Sequence, residues 1–71
     1  MEMPPVVHPK KIDIDGFIFE VTAYVSLTDQ QAGKIANAHY RNMKPKPKKK
    51  DRGKFVYRVV SLVDERSVEF L

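Results

Sequence analysis

Cysteine and tryptophan are both absent from this chain of 71 residues. Without cysteine there is no disulfide, no thiolate zinc site and no cysteine nucleophile. The glycines, Gly16, Gly33 and Gly53, lie too far apart for a glycine-rich phosphate loop. No apolar run approaches the roughly 18 to 20 residues that a membrane span needs, and residues 1–5 do not resemble the start of a secretory signal. We therefore expect a cytoplasmic protein with no membrane partner.

The length of the chain limits it to one small domain. An enzyme needs a pocket in which polar groups converge, and a domain of this size offers little concavity. The best enzymatic arrangement would be a metal-independent ribonuclease that uses His39, Arg41, Tyr57 and Arg58. The sequence has no metal-ligand spacing and no cofactor motif. We therefore expect a protein that is not an enzyme and that binds no metal ion and no cofactor.

Positive charge is concentrated in residues 44–54, which we call the basic segment. The chain has a formal net charge of +4, but this segment alone carries seven cations against one acid, Asp51, and the other sixty residues sum to −2. Its cations are Lys44, Lys46, Lys48, Lys49, Lys50, Arg52 and Lys54. A block of like charge stays solvated unless an anion meets it, and it attracts phosphate-rich partners. We expect a mobile loop.

Residues 10–27 carry the clearest local signal, a β-hairpin. Asp15-Gly16 stands between alternating runs and suits a type I′ turn, which needs positive φ at both central residues. A two-residue loop places Ile14 opposite Phe17, and every polar residue then falls on one face. The other face, predicted to meet a helix, consists of Ile12, Ile14, Phe17, Phe19, Val21, Ala23, Val25 and Leu27.

A helix is predicted to begin after Thr28. Thr28 and Gln31 have the spacing of a capping box. The residues on its inner face recur at helical spacing and are Ala32, Ile35, Ala36, His39, Tyr40 and Met43. Pro45 ends the helix, because a residue before proline avoids the helical region.

Residues 55–63 are rich in aromatic and β-branched side chains and predict a strand whose inward face is ambiguous. Residues 67–71 alternate weakly and suggest a last short strand. The predicted fold is α+β, an antiparallel three- to four-stranded sheet in the order ββαββ, covered on one face by a single helix. Residues 1–9, with three prolines, are expected to form a flexible arm, and residues 10–71 one domain.

The charge pattern favours a small nucleic-acid-binding or regulatory accessory protein that contacts phosphates through the basic segment. The expected contact residues are Lys44, Lys46, Lys48, Lys49, Lys50, Arg52, Lys54 and Arg58. Another polyanion, a purely solvated loop and a nuclear import signal at residues 49–52 are alternatives for the same segment. Phe55 and Tyr57 follow it, as aromatics do in base-stacking proteins, although we expect both to lie in the core.

The second face of the sheet suggests a different function. A lone helix covers one face only, so apolar residues on the other face are exposed or form an interface. The predicted interface residues are Ile18, Tyr24, Val56, Val60 and Leu62. They favour a homodimer, or a protein-interaction or inhibitor module that binds a larger protein through the exposed sheet face and edge.

Overall fold

The computed structural model describes residues 6–71. These form one three-stranded sheet and one helix, which confirms the α+β class. The elements are β1 (His8–Ile14), β2 (Phe17–Ala23), α1 (Asp29–Asn42) and β3 (Val56–Val60), with short 3-10 turns at Lys49–Asp51 and Val68–Phe70. The sheet order is β1-β2-β3, so β2 is the central strand.

The hairpin of β1 and β2 has the predicted register. Ile14 pairs with Phe17 and Ile12 with Phe19 in an antiparallel ladder. Asp15 and Gly16 both have positive φ, 54° and 86°, as the type I′ turn requires. The turn chemistry and the polarity pattern specify the same register. A slip of one residue would exchange the two faces of the sheet and bury the polar side chains.

The first strand begins earlier than the sequence pattern indicates. His8 and Pro9, assigned to the flexible arm, pair with Ala23 and Thr22 as the first residues of β1. Residues 1–5 of the predicted arm lie outside the described residues.

The helix confirms the predicted cap. Gln31 N donates to Thr28 Oγ1 at 3.1 Å, and Thr28 N donates to Gln31 Oε1 at 3.0 Å. α1 packs on β1 and β2 through two fully buried alanines, Ala32 and Ala36, which let the helix approach the sheet closely. His39, predicted on the inner face, is exposed at the margin, with its ring 6.1 Å from that of Phe19.

The predicted antiparallel sheet in ββαββ order is wrong in two respects. β3 runs parallel to β2, with partners from Ile18↔Val56 to Thr22↔Val60. A parallel neighbour needs a crossover of a dozen or more residues, and α1 with the basic segment supplies it by returning the chain to the start of β2. Residues 67–71 form no strand, and the 3-10 turn Val68–Phe70 ends the chain instead.

The core lies between the sheet and α1, and its buried residues come from every major element except β1. They are Phe17, Phe19, Val21, Ala23, Leu27, Ala32, Ala36 and Val59. Val63, Val68 and Leu71 from the C-terminal segment pack against the same cluster, so the chain end docks. Tyr57 and Val59 therefore point inward from β3, while Val56, Arg58 and Val60 belong to the open face, which resolves the ambiguity of this strand.

Candidate nucleic-acid interface

The basic segment is attached at its C-terminal end to the hairpin turn. Arg52 Nη2 lies 3.1 Å from Asp15 Oδ2, and Gly53 N donates to Gly16 O at 3.0 Å. The guanidinium of Arg52 also lies 5.8 Å from the ring centroid of Phe17. Asp15 is thus both a turn residue and the partner of a cation far along the chain.

A second contact attaches the N-terminal part of the segment to α1. Lys46 Nζ lies 4.9 Å from the ring centroid of Tyr40, a cation–π contact of the kind worth about 0.5–1 kcal/mol at exposed sites. Between the two contacts, Lys49–Asp51 forms a 3-10 turn in which Asp51 N donates to Lys48 O at 2.9 Å. The segment is therefore held at two points, whereas the sequence predicts a mobile loop.

Five of the predicted phosphate-binding cations remain available to a ligand. Lys44, Lys48, Lys49, Lys50 and Lys54 are all exposed. Within residues 6–71, no carboxylate forms an ion pair with any of them. Their charges are therefore not neutralised by this part of the fold. Arg52 and Lys46 are committed to the contacts that hold the segment.

Arg58 occupies a different site from the basic segment. It lies on the open face of β3, with Nε 4.0 Å from Glu20 Oε1. Glu20 is also the partner of Lys11 across β1 and β2, so the three side chains form a row of alternating charge across the sheet. Arg58 therefore has an acidic neighbour, which none of the five lysines has within residues 6–71.

Phe55 and Tyr57 have different environments. Tyr57 is half-buried, with its ring 5.4 Å from Phe19, so its predicted core position is confirmed. Phe55 is 55% exposed and contradicts that expectation. The alternation over residues 55–63 assigns both to one face, but β3 begins only at Val56, so the alternation does not extend to Phe55.

The predicted interface residues are divided between the two ends of the sheet. Ile18 and Val56 are neighbours at the start of β2 and β3. Val60 is the last residue of β3, and Tyr24 and Leu62 follow the ends of β2 and β3. Val60 and Leu62 are 72% and 81% exposed. The charged row of Lys11, Glu20 and Arg58 lies between the two groups. The open face is therefore two apolar areas rather than one continuous patch.

The two edges of the sheet differ in their free backbone groups. Ser61 N donates to Thr22 O at 2.8 Å, so Thr22 directs its backbone toward β3. The backbone groups of Pro9, its partner on β1, therefore face away from the sheet, and proline has no N–H to donate at an edge. By the same alternation the N–H groups of Lys11 on β1 and of Arg58 and Val60 on β3 face outward, and none of them has a backbone partner within residues 6–71. The edge of β3 differs from that of β1 in having no proline, and it is in this respect the more open to strand addition.

The ribonuclease arrangement is not assembled. Tyr57 points into the core while Arg58 points away from it on the opposite face of the sheet. Across residues 6–71, no cluster of three acidic or histidine side chains could hold a metal ion, and no enclosed pocket is found. In the same range, no helix is long and apolar enough to cross a membrane.

The chain matches no protein-family model, no curated protein and no solved structure.

Proposed function

We propose that this protein binds nucleic acid by its phosphates, through the five exposed lysines of the basic segment. The single observation that carries the proposal is that these lysines lie on a segment held to the fold at two points. Lys46 contacts Tyr40 at one point, and Arg52 pairs with Asp15 at the other. A held segment loses less conformational entropy on binding than a free loop.

Charge supports the same proposal. The basic segment carries +6 and the remaining residues −2, so phosphate is attracted to this segment and repelled elsewhere. Each lysine that meets a phosphate releases condensed counterions, which makes binding favourable and dependent on salt. Contacts of this kind position a protein on nucleic acid without reading its sequence. The role that fits is that of a non-specific accessory or regulatory factor.

The test is to neutralise the centre of the segment and compare it with an equal change elsewhere. We expect the variant Lys48→Gln/Lys49→Gln/Lys50→Gln to bind labelled DNA and RNA more weakly than the parent at low salt. Its salt dependence should flatten by up to about 0.9 log units in slope per lost duplex phosphate contact. Folding should change by no more than about 0.5 kcal/mol, because the substituted side chains are exposed.

The matched control substitutes three exposed cations outside the segment. Lys34→Gln/Arg41→Gln/Arg66→Gln changes the net charge by the same amount. It should retain most of the parent's affinity. Equal losses in both triple variants would show a diffuse charge effect, and no loss in the segment variant would exclude the lysines as the contact.

A second proposal is a protein-interaction module, and the open edge of β3 favours it. The outward N–H groups of Arg58 and Val60 have no backbone partner within residues 6–71, and an extended segment of another chain could add there as a further strand. The exposed side chains of Val60 and Leu62 would then contact that strand or its flanks. The salt titration distinguishes the two proposals, because an interaction module without phosphate contacts shows no salt-dependent binding of nucleic acid.

A further inference from the structure

We infer that the preferred ligand is single-stranded nucleic acid, with the ring of Phe55 stacked on an unpaired base. This inference rests on the proposed phosphate binding by the basic segment, and it adds the strandedness of the ligand and a base contact.

Phe55 is a large apolar side chain that is exposed immediately after the last lysine of the basic segment. Phe17 and Phe19 are 1% and 0% exposed in the core, whereas Phe55 is 55% exposed. It directly follows Lys54, the last cation of the segment. An aromatic ring next to cations is the combination that single-strand binders use, since the cations follow the backbone and the ring receives a base.

The backbone around Phe55 is fixed on both sides. Two residues before it, Gly53 N donates to Gly16 O at 3.0 Å. One residue after it, Val56 pairs with Ile18 as the first residue of β3. The backbone that carries the ring is therefore positioned before the ligand arrives, which lowers the entropic cost of stacking.

Stacking distinguishes single strands from duplexes. In the interior of a duplex both faces of each base are covered by neighbouring bases, so a ring at the protein surface reaches only base edges, sugar and phosphate. Bases of single strands can be splayed out and stacked on aromatic side chains. Each such contact is worth about 1–3 kcal/mol by alanine substitution and tolerates any base. The lysines then contribute to the binding of both ligands, whereas Phe55 contributes only to the binding of the single strand.

The first experiment measures affinity for a short single strand and for the duplex of the same sequence, at two salt concentrations. We expect Phe55→Ala to weaken single-strand binding about 5- to 150-fold, the range given by one lost base stack, and to leave duplex binding unchanged. Phe55→Tyr should restore single-strand binding, because it retains the aromatic ring. Phe70→Ala is the matched control, since Phe70 is 82% exposed but lies in the C-terminal turn.

The second experiment uses the absence of tryptophan from the chain. Phe55→Trp introduces a single tryptophan at the stacking position without replacing any core residue. Its fluorescence should be quenched by the single strand and not by the duplex. Tryptophan substituted for Phe70 should respond to neither ligand.

The outcomes separate this inference from the proposed function. If the parent binds single strand and duplex alike and Phe55→Ala changes neither, the base contact is excluded while phosphate binding stands. If the parent binds neither ligand in a salt-dependent way, the proposed function itself is excluded. If a folded Phe55→Ala variant lost affinity for both the single strand and the duplex, the stacking role would also be overturned. Stacking predicts a loss of affinity for single strands only.

Discussion

The carboxylate of Asp15 pairs with the guanidinium of Arg52, with Oδ2 3.1 Å from Nη2. The same Asp15 oxygen lies 3.5 Å from the hydroxyl of Tyr40, which donates to it. One turn residue therefore contacts both α1 and the basic segment. This carboxylate is one of the contacts between the basic segment and the hairpin, together with the hydrogen bond from Gly53 N to Gly16 O.

We expect Asp15→Asn and Arg52→Ala each to loosen the basic segment with little loss of stability. Both side chains are largely exposed, at 42% for Arg52 and 57% for Asp15, and exposed pairs are worth about 0–1 kcal/mol. Asparagine tolerates the positive φ of this turn position, so the hairpin should persist. Backbone ¹⁵N relaxation should show increased motion over residues 44–54 in both variants. Unchanged relaxation would show that the ion pair does not hold the segment.

The glycines Gly16 and Gly33 should respond in opposite directions to alanine. A Cβ at Gly16, where φ is +86°, would lie 3.0 Å from Arg52 Cδ, so we expect a loss of about 1 kcal/mol or more. A Cβ at Gly33 meets nothing within 4 Å, and helix propensity there predicts a gain of up to about 1 kcal/mol. Thermal denaturation of the two variants measures both effects. A stabilised Gly16→Ala variant would contradict the close approach of Arg52.

We predict that the protein forms a homodimer in which the β3 edges of two copies pair with each other. We expect the parent to sediment at about twice its 8.2 kDa mass at micromolar concentration. Val60→Pro removes one outward N–H without removing a bond to β2, so it should give a folded monomer. Lys11→Pro at the edge of β1 is the matched control and should remain a dimer.

Val60→Lys provides a second test of the edge, because it keeps the N–H and places a charge on the strand, a common protection against pairing. It should also be monomeric. A parent mass of 8.2 kDa at equilibrium would contradict the dimer. A dimeric Val60→Pro variant would place the contact elsewhere on the molecule.

The C-terminal turn should be sensitive to acid through Asp64. Hydrogen bonds from the backbone N–H and the hydroxyl of Ser67, and from the N–H of Arg66, hold the pKa of Asp64 below its ordinary value of 3.8. Because the folded pKa is lowered, the stabilisation is present above pH 3.8 and is lost as the pH falls through the lowered pKa. An NMR titration of the Ser67 amide should show a midpoint below 3.8, absent in Asp64→Asn. A midpoint at or above 3.8 would contradict these bonds.

The hairpin and the start of the helix were predictable because each depends on contacts between near neighbours in the chain. Asp15-Gly16 specifies the turn, and a two-residue turn specifies the pairing of Ile14 with Phe17. Thr28 and Gln31 cap each other within one turn of helix. The concentration of positive charge in residues 44–54 was also predictable, because it follows from counting charged residues in the sequence.

The candidate site was only partly predictable. Charge alone indicates the lysines, but it does not distinguish Lys48, which is free of ion pairs in the described part of the chain, from Arg52, which is paired with Asp15. The exposure of Phe55 was missed because alternation assigns it to the face of Tyr57. A signal was present in Gly53, whose positive φ of 74° interrupts the extended chain just before Phe55.

The sequence by itself determined the hairpin register, the helix cap and the place of the basic segment. The tertiary structure alone decided the direction of β3, its inward residues and the 3-10 ending of the chain. Strand patterning has a period of two residues and reads the same in either direction, so it carries no information on parallel or antiparallel pairing. Direction is decided by the path of residues 29–55, which return the chain to the start of β2 and place β3 beside it.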